Sequence, residues 1–301
     1  MKSIQVLHID AFTTIPNKGN PAGVVIDAAH LSEQDMQEIA YQVGFNETSF
    51  VWPSDKADLR IRYFTPGHEM DLCGHATIAT LYALKEEGFL RGRDQITVET
   101  NVGVLPMTFA HTEEGRVTIK MNQAEPEFIP FNGDVERLAA SIGLCTEDID
   151  SRWPIVYGST GIWTVIIPVK KLERFADMIP HNEQFPDILQ EMPRASLHPF
   201  CLETVDPQAF MHARHYSSVY SGTVEDPATG TASGVLGAYY LTYIQPERTE
   251  ADFLIEQGLE IGRDGRIRVS AVREPDHIQV SISGTAVRVK EMQIEYGIFS
   301  K

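Results

Sequence analysis

Two short stretches decide the reading of this chain: Cys73-Gly74-His75-Ala76-Thr77 and Thr229-Gly230-Thr231-Ala232-Ser233. They share the pattern x-G-x-A-[ST] at an offset of 156 (229 − 73), about half of the 301 residues. Each opens a segment with no Asp, Glu, Lys or Arg: His75 to Leu84, and Thr231 to Leu241. A helix without a charged face is buried on all sides. Strand-like runs surround both segments. Ser3–Ile9, Gly23–Ile26, Ser49–Trp52, Leu59–Phe64, Ile96–Glu99, Val102–Ala110 and Arg116–Met121 accompany the first. Gly161–Val169, Leu197–Thr204, Phe253–Glu256, Arg266–Val272, His277–Ile282 and Ala286–Val289 accompany the second. The pattern predicts an α+β fold of two similar domains, each a strand-rich, barrel-like sheet around a central buried helix. Residues 1–125 with a last strand at about 286–301 form the first domain, and residues 126–285 the second. The boundary is placed near Asn122–Asn132, where Pro126 and Pro130 interrupt the pattern.

Two further helices are expected. Ser32, with Asp35 three positions on, is an N-cap pattern, Met36, Ile39, Ala40 and Val43 give one apolar face, and Gly44 stops the segment. A second helix falls at about Val135–Ile142.

Composition narrows the function classes. Lys plus Arg total 25 against 42 for Asp plus Glu, a formal net charge of −17. A field of that sign repels phosphate backbones and anionic membranes, which argues against nucleic-acid and membrane partners. The apolar run Ile162–Val169 is broken by Thr164 and Pro168 and is too short to span a bilayer. Met1 to Phe12 holds no long apolar core, and the three cysteines, Cys73, Cys145 and Cys201, suggest no disulfide framework. A cytoplasmic location is expected.

The chemistry concentrates at the two helix starts. A first helical turn leaves backbone N–H groups unpaired and carries partial positive charge. Glycine there lets a ligand approach closely, so Gly74 and Gly230 are candidates for holding a carboxylate or a developing enolate. The competing reading makes them tight turns. Three ionisable groups sit nearby in sequence: His75, Asp226 in Val224-Glu225-Asp226-Pro227-Ala228-Thr229-Gly230, and Glu47 in Gly44-Phe45-Asn46-Glu47-Thr48-Ser49. Taken singly, Glu47 also reads as a surface loop residue and Asp226 as a turn former before proline.

Five segments then occur in order: Gly19-Asn20-Pro21-Ala22-Gly23-Val24-Val25, Asn46-Glu47-Thr48-Ser49-Phe50-Val51, Phe64-Thr65-Pro66, Cys73-Gly74-His75-Ala76-Thr77 and Glu225-Asp226-Pro227-Ala228-Thr229-Gly230-Thr231-Ala232. Together they resemble the PhzF-like isomerase family of phenazine biosynthesis, which shares the diaminopimelate epimerase fold. The resemblance implies an active site between two domains, a small carboxylate-bearing substrate, no metal, no organic cofactor, and a homodimer. It implies that Glu47 is the general acid/base, moving a proton between two carbons, with His75 and Asp226 in support. Gly74, Gly230 and Thr231 would bind the substrate. Thr231 stands where serine is usual, and Gly262-Arg263-Asp264-Gly265 departs from the family's GRPS-like segment.

Alternatives were set beside this reading. An epimerase or racemase of an amino-acid-like acid could use the same residues, although a two-cysteine mechanism would need a thiol at Thr229. A metal site is a further alternative at His68 to His75, whose spacing matches no established zinc signature, or at His212 and His215, which a strand places on opposite faces. A non-catalytic small-ligand binding protein is the third.

Overall fold

Turn and cap residues divide the chain into strands and helices much as the sequence suggests. The computed structural model describes residues 2–112 and 114–297. The chain divides into two units, Met1–Asn122 with Ser283–Lys301, and Gln123–Ile282. Of the segment 286–301 read as a last strand, residues 298–301 lie outside the described residues.

In the first unit, β1 (Lys2–Ala11) runs antiparallel to β2 (Asn20–Val25), and β2 runs parallel to β3 (Glu47–Trp52). Strand β3 is antiparallel to β4 (Leu59–Phe64), which also pairs with the short β5 (Glu69–Met70). Next come β6 (Gln95–Thr100), parallel to β4, then β7 (Gly103–His111) and β8 (Val117–Asn122) in antiparallel succession. The C-terminal strand Ala286–Tyr296 pairs antiparallel with β1.

Helix α1 (Glu33–Val43) connects β2 to β3. Ser32 and Asp35 close a reciprocal capping box on it, and Gly44 ends it at φ 71°. Helix α2 (Gly74–Glu86) lies between β4 and β6 in the chain. It touches β1, β2, β3, β8 and the C-terminal strand, so strands from both ends of the order meet one helix and the sheet curls round it. Strand alternation sorts the two faces. Phe50 joins Met36 and Ile39 of α1 in one core, while its neighbour Ser49 turns the other way and bonds Thr80 of α2.

The second unit repeats the plan. Strand β9 (Glu127–Pro130) is antiparallel to β10 (Val156–Ser159), as the C-terminal strand is to β1. From there β10 and β11 (Trp163–Pro168) are antiparallel, and β11 and β12 (Ser196–Cys201) parallel. Strands β12 and β13 (Met211–Ala213) are antiparallel, β13 and β14 (Glu250–Gln257) parallel, and β14 and β15 (Gly265–Arg273) antiparallel. That alternation matches β1, β2, β3, β4, β6 and β7 step for step. Strand β16 (Ile278–Gly284) then leads into the C-terminal strand, β17. Helices α3 (Val135–Ala140) and α4 (Phe185–Ile188) pack in a core with Tyr157, Phe175 and Leu197. Helix α5 (Gly230–Tyr239) falls between β13 and β14, as α2 falls between β4 and β6, and touches β10, β14 and β15.

Several boundaries differ from the sequence reading. Pro126 and Pro130 do not interrupt a pattern: Pro126 precedes β9 and Pro130 is its last residue, positions where a missing N–H is tolerated. The segment expected as helix to Leu241 leaves α-geometry at Tyr240 and continues as a π-turn, Tyr240–Ile244. The strand expected from Gly161 begins at Trp163, because Gly161 sits at φ 127° in the preceding turn. No described helix is long and apolar enough to cross a membrane.

Candidate active site

Glu47 is the first residue of β3, opposite Ala22 in the parallel register with β2. Its place follows from the end of α1. Gly44 turns the chain in the left-handed region, Phe45 packs on the His8 ring at 4.4 Å, and β3 begins two residues later. Glu47 and Ser49 project from one face of β3. That face is pinned to α2 by the Ser49–Thr80 hydroxyl pair at 2.6 Å, and Tyr63 of β4 bonds Thr77 at 2.6 Å. Helix α2 is therefore fixed against the strand that carries the carboxylate, and His75 in its first turn meets Glu47. Their Nε2 and Oε2 atoms are 3.2 Å apart, with side-chain exposures of 8% and 13%. Both atoms are buried, and they meet as an ion pair rather than as a well-aligned hydrogen bond.

Cys73 takes the other side of the ring. Its Sγ lies 3.4 Å from His75 Nδ1 and is buried. Burial works against an imidazolium, but the contacts with Cys73 and Glu47 on its two sides outweigh it, and the His75 pKa is raised well above the ordinary histidine value. Burial, then the Glu47 charge, pushes the Cys73 thiol up. Glu47, Cys73 and His75 offer three ligand-type atoms within 4.8 Å of one another, a set able to receive a divalent ion. The thiol faces Nδ1 and the carboxylate faces Nε2, however, so one ion cannot replace both contacts. The arrangement suits sharing of protons along a line.

In the second unit, Asp226 stands in the turn before α5. Its backbone N–H donates to His215 O at 2.9 Å, and the neighbouring Glu225 takes a bidentate pair from Arg214 at 2.9 and 2.6 Å. Arg214 also donates to the carbonyls of Phe175 and Met178. The Thr229 hydroxyl donates to the Asp226 carboxylate. Gln257, the last residue of β14, accepts from Thr229 N at 3.2 Å and donates to Asp226 O at 2.8 Å and Thr229 Oγ1 at 3.1 Å. Thr231 is half-buried, and its carbonyl accepts from Thr160 at 3.0 Å. Gln257 and Arg214 escaped the sequence reading because each lies far along the chain from the turn it holds. The place of Cys73 beside His75 carries no sequence signal beyond the shared motif.

The two glycines separate their competing readings. Gly74 and Gly230 are the first residues of α2 and α5, and neither is among the residues with positive φ. A Cβ built on Gly74 would meet nothing within 4 Å. Neither turn geometry nor packing requires glycine at 74. The N-cap residues Cys73 and Thr229 make no side-chain cap hydrogen bond, so the first-turn N–H groups lack that usual partner.

The histidines weighed as metal ligands have separate partners. His212 bonds Glu256 at 2.7 Å and Glu260 at 2.8 Å, whereas His215 packs on His198, their Nδ1 atoms 3.2 Å apart. The departing segment Gly262 to Gly265 follows a 3₁₀ turn. Gly262 sits at φ 70°, and Asp264 pairs with Arg266 at 2.8 Å.

Known proteins place this geometry in a family. Residues 9–292 match the family model PhzC-PhzF, described as phenazine biosynthesis-like protein. The chain is 50% identical over 287 residues to an uncharacterized isomerase, YfhB, of Bacillus subtilis, covering 95% of this chain and 97% of that one. It is 30% identical over 289 residues to the trans-2,3-dihydro-3-hydroxyanthranilate isomerase of Pseudomonas aeruginosa, covering 94% and 96%. A crystal structure of a Bacillus anthracis phenazine biosynthesis protein of the PhzF family superposes with a TM-score of 0.96 at 54% identity, covering 98% of this chain and all of that one. By these matches the chain, with its buried Glu47–His75 pair at one helix start, belongs to the PhzC-PhzF, phenazine biosynthesis-like family of isomerases.

Proposed function

We propose that this isomerase carries out a cofactor-independent 1,3-proton shift on a small carboxylate-bearing substrate, with Glu47 as general acid/base. The observation that carries the reading is the Glu47–His75 pair. A carboxylate and an imidazole 3.2 Å apart, both largely buried at a helix start, form a couple able to take up and return a proton. In the reaction, the Glu47 carboxylate takes a proton from one carbon and the electron pair spreads over the conjugated system. The resulting carboxylic acid returns the proton to the far carbon on the same face. One proton moves and no electrons leave the substrate, so the step requires neither a redox cofactor nor a Lewis acid. His75 donates to the developing negative charge, and Asp226 holds a polar group of the substrate. The first-turn amides of Gly74 and Gly230, with Thr231, hold its carboxylate.

A dihydro-hydroxyanthranilate is the substrate class to try first, because a relative carries that activity in its name. Incubating the protein with trans-2,3-dihydro-3-hydroxyanthranilate and following the ring protons by NMR tests it. Migration of one proton between ring carbons supports the assignment, and recovery of unchanged substrate rejects that substrate class. The homodimer is carried forward as the assembly, to be measured by light scattering.

A further inference from the structure

The positions just before α2 and α5 correspond in the repeat, and both hold residues whose side chains do not cap their helices. Each makes a different contact instead. Cys73 Sγ lies 3.4 Å from His75 Nδ1, and the Thr229 hydroxyl donates to the Asp226 carboxylate. We infer that Cys73 and Thr229 are positioning residues, each orienting the ionisable group of its own unit rather than capping its helix.

The chemistry of each contact supports this. An imidazole presents two distinct nitrogens, and what bonds one fixes the orientation and tautomer presented by the other. With the Cys73 sulfur at Nδ1, the Nε2 edge of His75 is held toward Glu47. A carboxylate in a turn has rotational freedom, and the Thr229 hydroxyl removes it. Thr229 is itself fixed, because its N–H donates to Gln257 and its hydroxyl accepts from the same amide. At α5, turning the Thr229 hydroxyl onto Asp226 has a second consequence: that hydroxyl does not cap the first-turn amides. Serine or aspartate in its ordinary capping role would compete with a bound carboxylate at that place.

The inference rests on the proposed function for its kinetic arm only. The spectroscopic arm needs no substrate. With 15N-labelled histidine, the ring nitrogen resonances of His75 are compared in wild type, Cys73→Ala and Cys73→Ser. The prediction is that both resonances move in Cys73→Ala and return toward wild type in Cys73→Ser, which keeps a donor and acceptor at that place. Resonances in Cys73→Ala that coincide with wild type overturn the inference for Cys73 whatever the activity. In the kinetic arm, Thr229→Val lowers kcat on the order of tenfold to a hundredfold, the scale for a misplaced reacting group. KM stays within about twofold, and Thr229→Ser recovers most of the rate. Full kcat in Thr229→Val overturns the inference for Thr229. Should Glu47→Gln retain turnover while the His75 resonances still respond to Cys73, the functional reading falls and the positioning of His75 stands.

Discussion

The start of α2 and the start of α5 are the same piece of architecture used for different chemistry. Each follows an extended N-cap residue, begins on glycine, and is surrounded by strands in the same alternation of antiparallel and parallel pairing. At α2 the ionisable partners are a histidine in the first turn and a glutamate on a strand pinned to the helix. At α5 the carboxylate comes from the preceding turn and accepts from the Thr229 hydroxyl, while the Asp226 backbone carbonyl accepts from Gln257 and its N–H donates to His215 O. The repeated frame supplies two similar helix starts with different side chains, and the proposed function gives proton transfer to one and substrate holding to the other.

That division can be broken by substitution, beginning where the effect is largest. Glu47→Gln keeps size and shape but removes the base. It is expected to lower kcat/KM by about a thousandfold or more, within the range for general acid–base catalysis. An unchanged circular dichroism spectrum would assign the loss to chemistry rather than folding. Next comes the buried scaffold of the second unit. His212→Phe leaves Glu256 and Glu260 without the histidine between them and is expected to cost about 3–5 kcal/mol in urea unfolding, as for a broken buried pair. A cost near zero would show that the pair contributes little to that unit.

The same residue gives a pH dependence. Burial disfavours the charged form of His212, but Glu256 and Glu260 outweigh it and raise its pKa. Its contribution to stability is therefore fully present below the free-histidine value of about 6.5. It is lost as pH rises through the higher folded-state value. Unfolding measured across that window should show stability falling with pH in wild type and a flatter profile in His212→Phe.

Smaller effects distinguish the glycines. A Cβ on Gly237 would lie 2.5 Å from Val269 Cγ1, so Gly237→Ala is expected to cost about 1–3 kcal/mol through overpacking. Gly74→Ala meets open space at an ordinary φ and should leave stability unchanged within about 0.5 kcal/mol. It should raise KM about tenfold, equivalent to about 1.4 kcal/mol of lost approach to the amides. An unaltered KM would remove Gly74 from the proposed binding role.

The repeat was legible in the sequence because the segments His75–Leu84 and Thr231–Leu241 lack charge and share a start pattern, two features that survive divergence. The capping box on Ser32 and the stop at Gly44 were equally plain, since each is local chemistry. What could not be read was non-local. The short strands β10 and β13 carry too few residues for a period to show, and β9 was masked by its prolines. At the site, His75 and Glu47 were named from local motifs, but their proximity is a product of strand register and the Ser49–Thr80 pin. Arg214 and Gln257 hold the Asp226 turn from 11 and 31 residues away, and no spacing rule links such positions.

The central claim is that Glu47 moves the proton, and isotope transfer measures it directly. In D2O, the wild-type protein acting on its substrate should place one deuteron on the accepting carbon, or return the migrating proton there in proportion to how well the site excludes solvent. Glu47→Gln should bind the same compound, seen by calorimetry, while moving neither isotope. Labelling or migration at the wild-type rate in Glu47→Gln would contradict the account and shift the search for the base to another group.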